Sequence, residues 1–179
     1  NEKNADYRLR ALWTKHIIQA IEEAELLTLL KDRDSYVRSW AVQFLVEDKN
    51  PSQLAIQAMN QLAKKEESPV VRLYLAGALQ RMQQEDRWEI AEALLQYSQD
   101  VDDPNIPLML WFAIEPLVAE NSKEALALAR KSKLPSITQK LARRLVDANE
   151  LEVLVNVLAQ KSTAQVPLLE GMLAGLEGR

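Results

Sequence analysis

Between residues 68 and 82 the chain sets Val71, Leu75, Ala78, Leu79 and Met82 at i, i+4, i+7, i+8 and i+11. That spacing puts all five side chains on one stripe of an α-helix. Ser68 is placed to accept from the free first-turn amides, and Pro69 suits the first helical position. The same pattern recurs along the chain. It carries Leu9, Trp13, His16, Ile17 and Ala20 behind Asp6, then Val37, Ala41, Phe44 and Leu45 behind Asp34. Ile106, Leu110, Ala113, Ile114 and Leu117 follow Asp103 and Pro104. Ile137, Leu141 and Leu145 follow Pro135, with Arg144 interrupting the stripe, and Val166 follows Thr163, with Glu170 at the second apolar site.

The anchors Leu9, Val37, Val71, Ile106, Ile137 and Val166 are separated by 28, 34, 35, 31 and 29 residues. Between them lie shorter apolar stripes, at about 22–31, 51–63, 86–97, 122–129 and 149–158, that predict returning helices. Ser122 and Asn149 are the expected caps of the last two. A polar cap stands three residues before the anchor in five of the six copies, and a proline two before it in three. Pro116 is expected to kink its helix near the end. Two-helix units of this length build solenoids. The fold expected is therefore all-α, an α-solenoid of antiparallel helix pairs with about six repeats, forming one domain over residues 1–179. Copy six, degenerate at Glu170, reads as a terminal cap.

Composition sharpens this picture mainly by exclusion. The chain has four glycines, Gly77, Gly171, Gly175 and Gly178, too few for the turns of an all-β fold. With no cysteine, disulfides and thiolate metal sites are out of reach, and the one histidine, His16, cannot by itself make a His-rich metal site or a Ser-His-Asp triad. The uncharged run at 104–114 contains Pro107 and is far shorter than the roughly 20 residues that span a bilayer. The chain opens on Asn1 with a polar segment that is no signal peptide, which reads as a processed chain or an excised domain. No cofactor and no metal are expected.

The formal charge is −4, from 22 basic and 26 acidic side chains, so nothing attracts a phosphate backbone at long range. Residues 88–122 carry acids and no Lys or Arg, whereas 130–144 carry six cations and no acid. Mutual neutralisation of these blocks is expected.

Arg10, Arg38 and Arg72 each follow an apolar anchor, and Asp6, Asp34 and Asp103 each precede one. Arginines and acids so placed are expected to form a structural ladder between successive helix pairs. Positions six and nine beyond each anchor lie opposite the buried stripe and are expected on an inner, concave surface. They include Gln43, Gln80, Phe112, Glu115 and Arg143, the candidate partner surface. Glu115 is expected to need an internal cation, Arg81 or Arg143. Trp13, Trp40, Trp88 and Trp111 are expected to pack in the core, with Trp40 meeting Tyr74 from the equivalent position of the next copy.

Three segments carry a family resemblance: 68–82, the run Glu85-Asp86-Arg87-Trp88-Glu89-Ile90-Ala91-Glu92-Ala93-Leu94-Leu95, and 102–118 with its Asp103-Pro104 cap and Trp111-Phe112 pair. Together they resemble the HEAT-like region of very large secreted bacterial proteins. In that family the region lies between a β-propeller similar to sugar dehydrogenases and a haem-binding domain similar to cytochrome c. The resemblance implies an armadillo-type superhelix within a larger exported, periplasmic or secreted polypeptide, with redox work done by other domains.

The function expected of this chain is thus a non-catalytic scaffold that docks protein, either neighbouring domains or another chain, without nucleic acid or membrane insertion. The alternatives are a HEAT-like DNA glycosylase, which the acidic charge disfavours, and a helper of the tetrapyrrole-lyase type.

Overall fold

A computed structural model describes residues 4–159 and 162–177; Asn1 and Gly178 lie outside them. The described residues form eleven α-helices and no strand, so the protein is all-α. The helices gather into two compact units, Asn1–Asp86 and Arg87–Arg179.

The first unit holds α1 (Ala5–Ile17), α2 (Glu23–Leu29), α3 (Ser35–Leu45), α4 (Gln53–Ala63) and α5 (Pro69–Ala78). Helix α3 packs between α1 and α5, while α2 and α4 adjoin each other behind them. Val71, Leu75, Ala78, Leu79 and Met82 are all buried, although the α-helix itself ends at Ala78 and tightens into a 3₁₀ turn over Leu79–Arg81. Val37, Ala41 and Leu45 are buried as the spacing predicts, joined by Val42 and Val46. Each leucine or valine so enclosed contributes about 1.5–3 kcal/mol relative to exposure.

The first copy departs from expectation. On α1 the only buried residue is Leu12; Trp13 is 36% and Ile17 78% exposed. The helix rests on α3 alone within its layer. A helix with one such neighbour covers a narrower strip than one flanked on both sides, and the outer half of the apolar stripe stays in solvent.

The second unit holds α6 (Trp88–Leu94), α7 (Ile106–Val118), α8 (Ser122–Lys131), α9 (Pro135–Asp147), α10 (Leu151–Leu158) and α11 (Gln165–Glu177). Helix α9 packs between α7 and α11, with α8 and α10 adjoining on its other side and α6 against α7. Helix α7 runs unbroken through Pro116, which lies on the exposed side. The α9–α11 crossing is the tightest packing in this unit. A Cβ placed on Gly171 would lie 2.8 Å from Ala142 Cβ, and one on Gly175 2.8 Å from Val146 Cβ. These two glycines let the helix backbones approach closely.

Several helix ends differ from the sequence reading. Asn4, not Asp6, caps α1, its side chain accepting from the Asp6 amide at 2.9 Å. Asn121, not Ser122, caps α8. Ser68 makes no side-chain cap bond. With glycine so scarce, Gln19, Lys49 and Asn149 adopt left-handed backbone near the ends of α1, α3 and α9, at φ of 55°, 61° and 63°. After α9 the Glu150 amide reaches Leu145 O and the Asn149 amide reaches Val146 O, so Asn149 does the work of a C-terminal glycine instead of capping α10.

Candidate docking surfaces

In the first unit, arginines link successive helix pairs through one repeated arrangement. Arg8 Nε and Nη2 donate to Asp32 Oδ2 and Oδ1 at 2.9 and 2.7 Å. Arg38 Nε and Nη2 donate to Glu66 Oε2 and Oε1 at 2.9 and 2.6 Å. Both acids stand five residues before an anchor, Val37 or Val71. Each also accepts from the amide two residues on, Asp34 N to Asp32 and Ser68 N to Glu66, both at 2.8 Å. The third nitrogen works locally. Arg38 Nη1 donates to the carbonyls of Asp32 and Arg33, and Arg72 Nη1, nearly fully buried, to those of Glu66 and Glu67.

The expected ladder residues are therefore distributed unevenly. Arg38 and Arg72 bind the turns that precede their own helices, and Arg38 also bridges to Glu66 before the next helix. Arg10 is exposed, its expected place taken by Arg8 two residues earlier, because Arg8 points toward α2 and α3 and Arg10 toward solvent. Asp6 is exposed. Asp34 caps α3, accepting from the Tyr36 and Val37 amides at 3.0 and 3.1 Å. Asp103 accepts from the Asn105 and Ile106 amides, both at 2.8 Å, at the start of α7. The acid five before the anchor is the member that sequence reasoning missed; its signal was the pair Asp32 and Glu66 at equivalent positions.

Burial acts to raise the pKa of Asp32. The hydrogen bond from Arg8, the Asp34 amide and the charges of Arg8 and Arg33 outweigh it and hold the carboxyl below its ordinary value.

The exposed side of α1, α3 and α5 carries a row of aromatic rings. Trp13 meets Trp40 edge-on, centroids 5.2 Å apart and planes at 78°; Trp40 lies 6.2 Å from Tyr74 at 57°. Phe44 adjoins Trp40 at 5.4 Å and stacks flat on His16 at 3.8 Å, and His16 Nε2 lies 2.7 Å from Glu47 Oε2. Trp40 does meet Tyr74 across neighbouring helices, but both rings are half-buried rather than sealed in the core, and Trp13 is 36% exposed. This row is a surface as well as a packing layer. Gln43 continues the same side of α3, half-buried, and Gly77 looks into open space. Gln80 is exposed on the 3₁₀ turn after α5.

In the second unit, Leu108 and Phe112 lie exposed on one side of α7, Phe112 at 49%. Glu115, half-buried on the same helix, pairs with Arg144 Nε at 2.6 Å, not with Arg81 or Arg143. Arg81 instead donates to the Glu47 carbonyl. Arg143 is exposed on α9, one residue from the side that faces α7. Lys140 Nζ sits over the Trp111 ring, 5.9 Å from its centroid, and Lys131 bonds Glu92 at 2.7 Å. The acidic and basic blocks thus neutralise each other through Lys131–Glu92 and Arg144–Glu115. Burial pulls Arg87 below its ordinary pKa against the raising effect of Glu120, and its Nη1 donates to the Ala113 carbonyl at 3.2 Å.

Open grooves also lie on the surface of each unit. One of about 350 Å³ lies between α2 and α4, floored by Leu27, Leu30, Ala58 and Leu62 and edged by Lys31 and Lys65. Another of about 220 Å³ lies between α9 and α11 beside Arg143 and Glu170. Among the described residues no group of three or more His, Cys, Asp or Glu is placed to hold a metal ion, and no helix is long and apolar enough to cross a membrane. Comparison with known proteins finds no family model, no curated relative and no solved structure that matches this chain.

Proposed function

We propose that this chain is a HEAT-like helical-repeat scaffold that docks protein rather than performing chemistry, as part of a larger exported polypeptide. The observation that carries the reading is the partly exposed aromatic row Trp13–Trp40–Tyr74, laid across three helices, with Trp13 36% exposed and Trp40 and Tyr74 more buried than that. Large amphipathic rings with few rotatable bonds supply contact area at low entropic cost, which suits them to recognition surfaces. The Arg8–Asp32 and Arg38–Glu66 bridges support it by tying the helices that display those rings. The exposed Leu108 and Phe112 offer a second contact area of the same kind.

Photo-crosslinking tests this directly, with a crosslinker placed at Gln43 or Phe112 in the native source and a control at Lys123, exposed on α8. The expected adducts are with protein, either another chain or a distant part of the parent polypeptide, and are absent from the control. Adducts to duplex DNA, with binding that falls steeply as salt rises, overturn the reading in favour of a nucleic-acid enzyme. An absence of adducts at both positions also overturns it. The mass of the native polypeptide, well above 20.3 kDa if the chain is a module, tests the larger-protein part.

A further inference from the structure

We propose, resting on the docking reading, that the groove between α2 and α4 seats an amphipathic helix of a protein partner, acidic at one end, apolar along its middle and basic at the other. Leucines floor the groove and no acid lines it; the charged groups on its rim are Lys31 and Lys65. These two stand 34 residues apart, as Val37 and Val71 do, so they hold one position in successive helix pairs. Each is followed by an acid, Asp32 or Glu66, that is already engaged by Arg8 or Arg38. Neither lysine ammonium bonds another described residue. The bridges that tie the helix pairs thus take the nearest counter-charge from both lysines, and an acidic partner group supplies it.

Helices α2 and α4 run in the same direction. At their N-terminal ends Ser52 Oγ donates to Glu23 Oε1 at 2.6 Å, and just past their C-terminal ends the two lysines share the groove. Glu23 stands one turn before Leu27, so the trough is negative where it starts and positive where it ends. Apolar surface lies between. Leu54, 64% exposed, stands one turn before Ala58 on the same side of α4. From Leu54 to Lys65 is eleven residues, about 16 Å of helix. A guest helix of about three turns matches that length, with apolar residues at i, i+4 and i+7 set into the trough. An extended segment fits less well: the described residues offer no strand edge to pair its backbone, whereas a helix satisfies its own. A long-chain carboxylate needs enclosure over most of its surface, and this trough is open. Helices favour acids in the first turn and bases in the last. The guest therefore lies antiparallel to α4, its acidic start at Lys31 and Lys65 and its basic end at Glu23.

The test is fluorescence anisotropy of a labelled, stapled helical peptide with two glutamates in its first turn, leucines at i, i+4 and i+7, and two lysines in its last turn, titrated with the full chain. Saturable binding is expected, weakened at least about five-fold by Lys31→Glu and by Lys65→Glu, which set like charges against the glutamates. Leu54→Ala weakens it about three-fold by removing apolar contact. Lys123→Glu, exposed on α8, leaves it unchanged. A peptide of the same composition with lysines first and glutamates last binds the unaltered chain more weakly, and binds the double variant carrying Lys31→Glu and Lys65→Glu better than the original peptide does. Circular dichroism checks that each variant is folded. No saturable binding of the original peptide, indifference to both lysine reversals, or equal binding of the two peptides overturns the proposal; dodecanoate binding in the peptide's place overturns it in favour of a small amphiphile. If photo-crosslinks from Gln43 or Phe112 still reach protein in that event, the docking reading survives and only the guest of this groove is lost; if they too are absent, both fall.

Discussion

Glu66, almost completely buried at 3%, is held by Arg38 through two parallel hydrogen bonds of 2.9 and 2.6 Å. The carboxylate belongs to the turn before α5 and the guanidinium to α3, so one ion pair joins consecutive helix pairs. Truncating Arg38 leaves a buried charge that, among the described residues, keeps only the hydrogen bond from the Ser68 amide. Arg38→Ala is expected to destabilise by about 2–4 kcal/mol, measured by urea unfolding. Arg38→Lys recovers part of this, since a lysine keeps the charge but not the fork.

The exposed pair of Lys131 and Glu92 makes the control. Both side chains are about half-exposed. Lys131→Ala is expected to change stability by less than about 0.5 kcal/mol, because solvent screens such pairs. A loss as large as that of Arg38→Ala contradicts this.

Asp32 gives the fold an acid-sensitive bridge. Its carboxyl is held below its ordinary value in the folded state, so the stabilisation it carries is fully present above the unfolded pKa of about 4 and is lost as pH falls through the lowered folded value. The urea midpoint is expected to fall between pH 5 and pH 3. Asp32→Asn lowers the midpoint at pH 5 and makes the fall shallower. A variant with an unaltered acid slope shows that other carboxylates set it.

Two glycines are expected to respond in opposite directions to alanine. At Gly171 a Cβ collides with the Gln139 carbonyl and comes within 2.8 Å of Ala142 Cβ, so Gly171→Ala forces α11 off α9 and costs about 2–4 kcal/mol. At Gly77, inside α5 with nothing near, Gly77→Ala stabilises by about 0.5–1 kcal/mol. Thermal unfolding of the two variants side by side checks both signs.

The left-handed residues offer a third kind of change. Lys49, exposed at φ 61°, tolerates a conformation that glycine adopts without strain. Lys49→Gly is expected to hold or raise the melting temperature, whereas glycine at a right-handed exposed helical site such as Gln57 lowers it.

The helices and most of the core were legible along the chain. The 3.6-residue period is a local property, and it marked Val37, Val71, Ile106 and Ile137 as buried anchors and Asp34 as a cap from their neighbours along the chain. Where two neighbours enclose a helix, as for α3 and α9, the apolar stripe and the buried face agree except at Phe44, which is only partly buried. Helix α1 has one, and there the stripe overstates the core, exposing Trp13 and Ile17. Ion pairing was legible as a class but not as partners: Arg8 rather than Arg10, and Arg144 rather than Arg143, make the bonds. A shift of one or two residues rotates a side chain by 100° or more around its helix, and only the packed neighbours decide which rotation meets a carboxylate. The aromatic row was decided in the same way. Periodicity placed Trp13, Trp40 and Tyr74 on separate helices, but whether their rings would be sealed in the core or left half-open depended on how far apart α1, α3 and α5 pack, a distance that no single helix encodes.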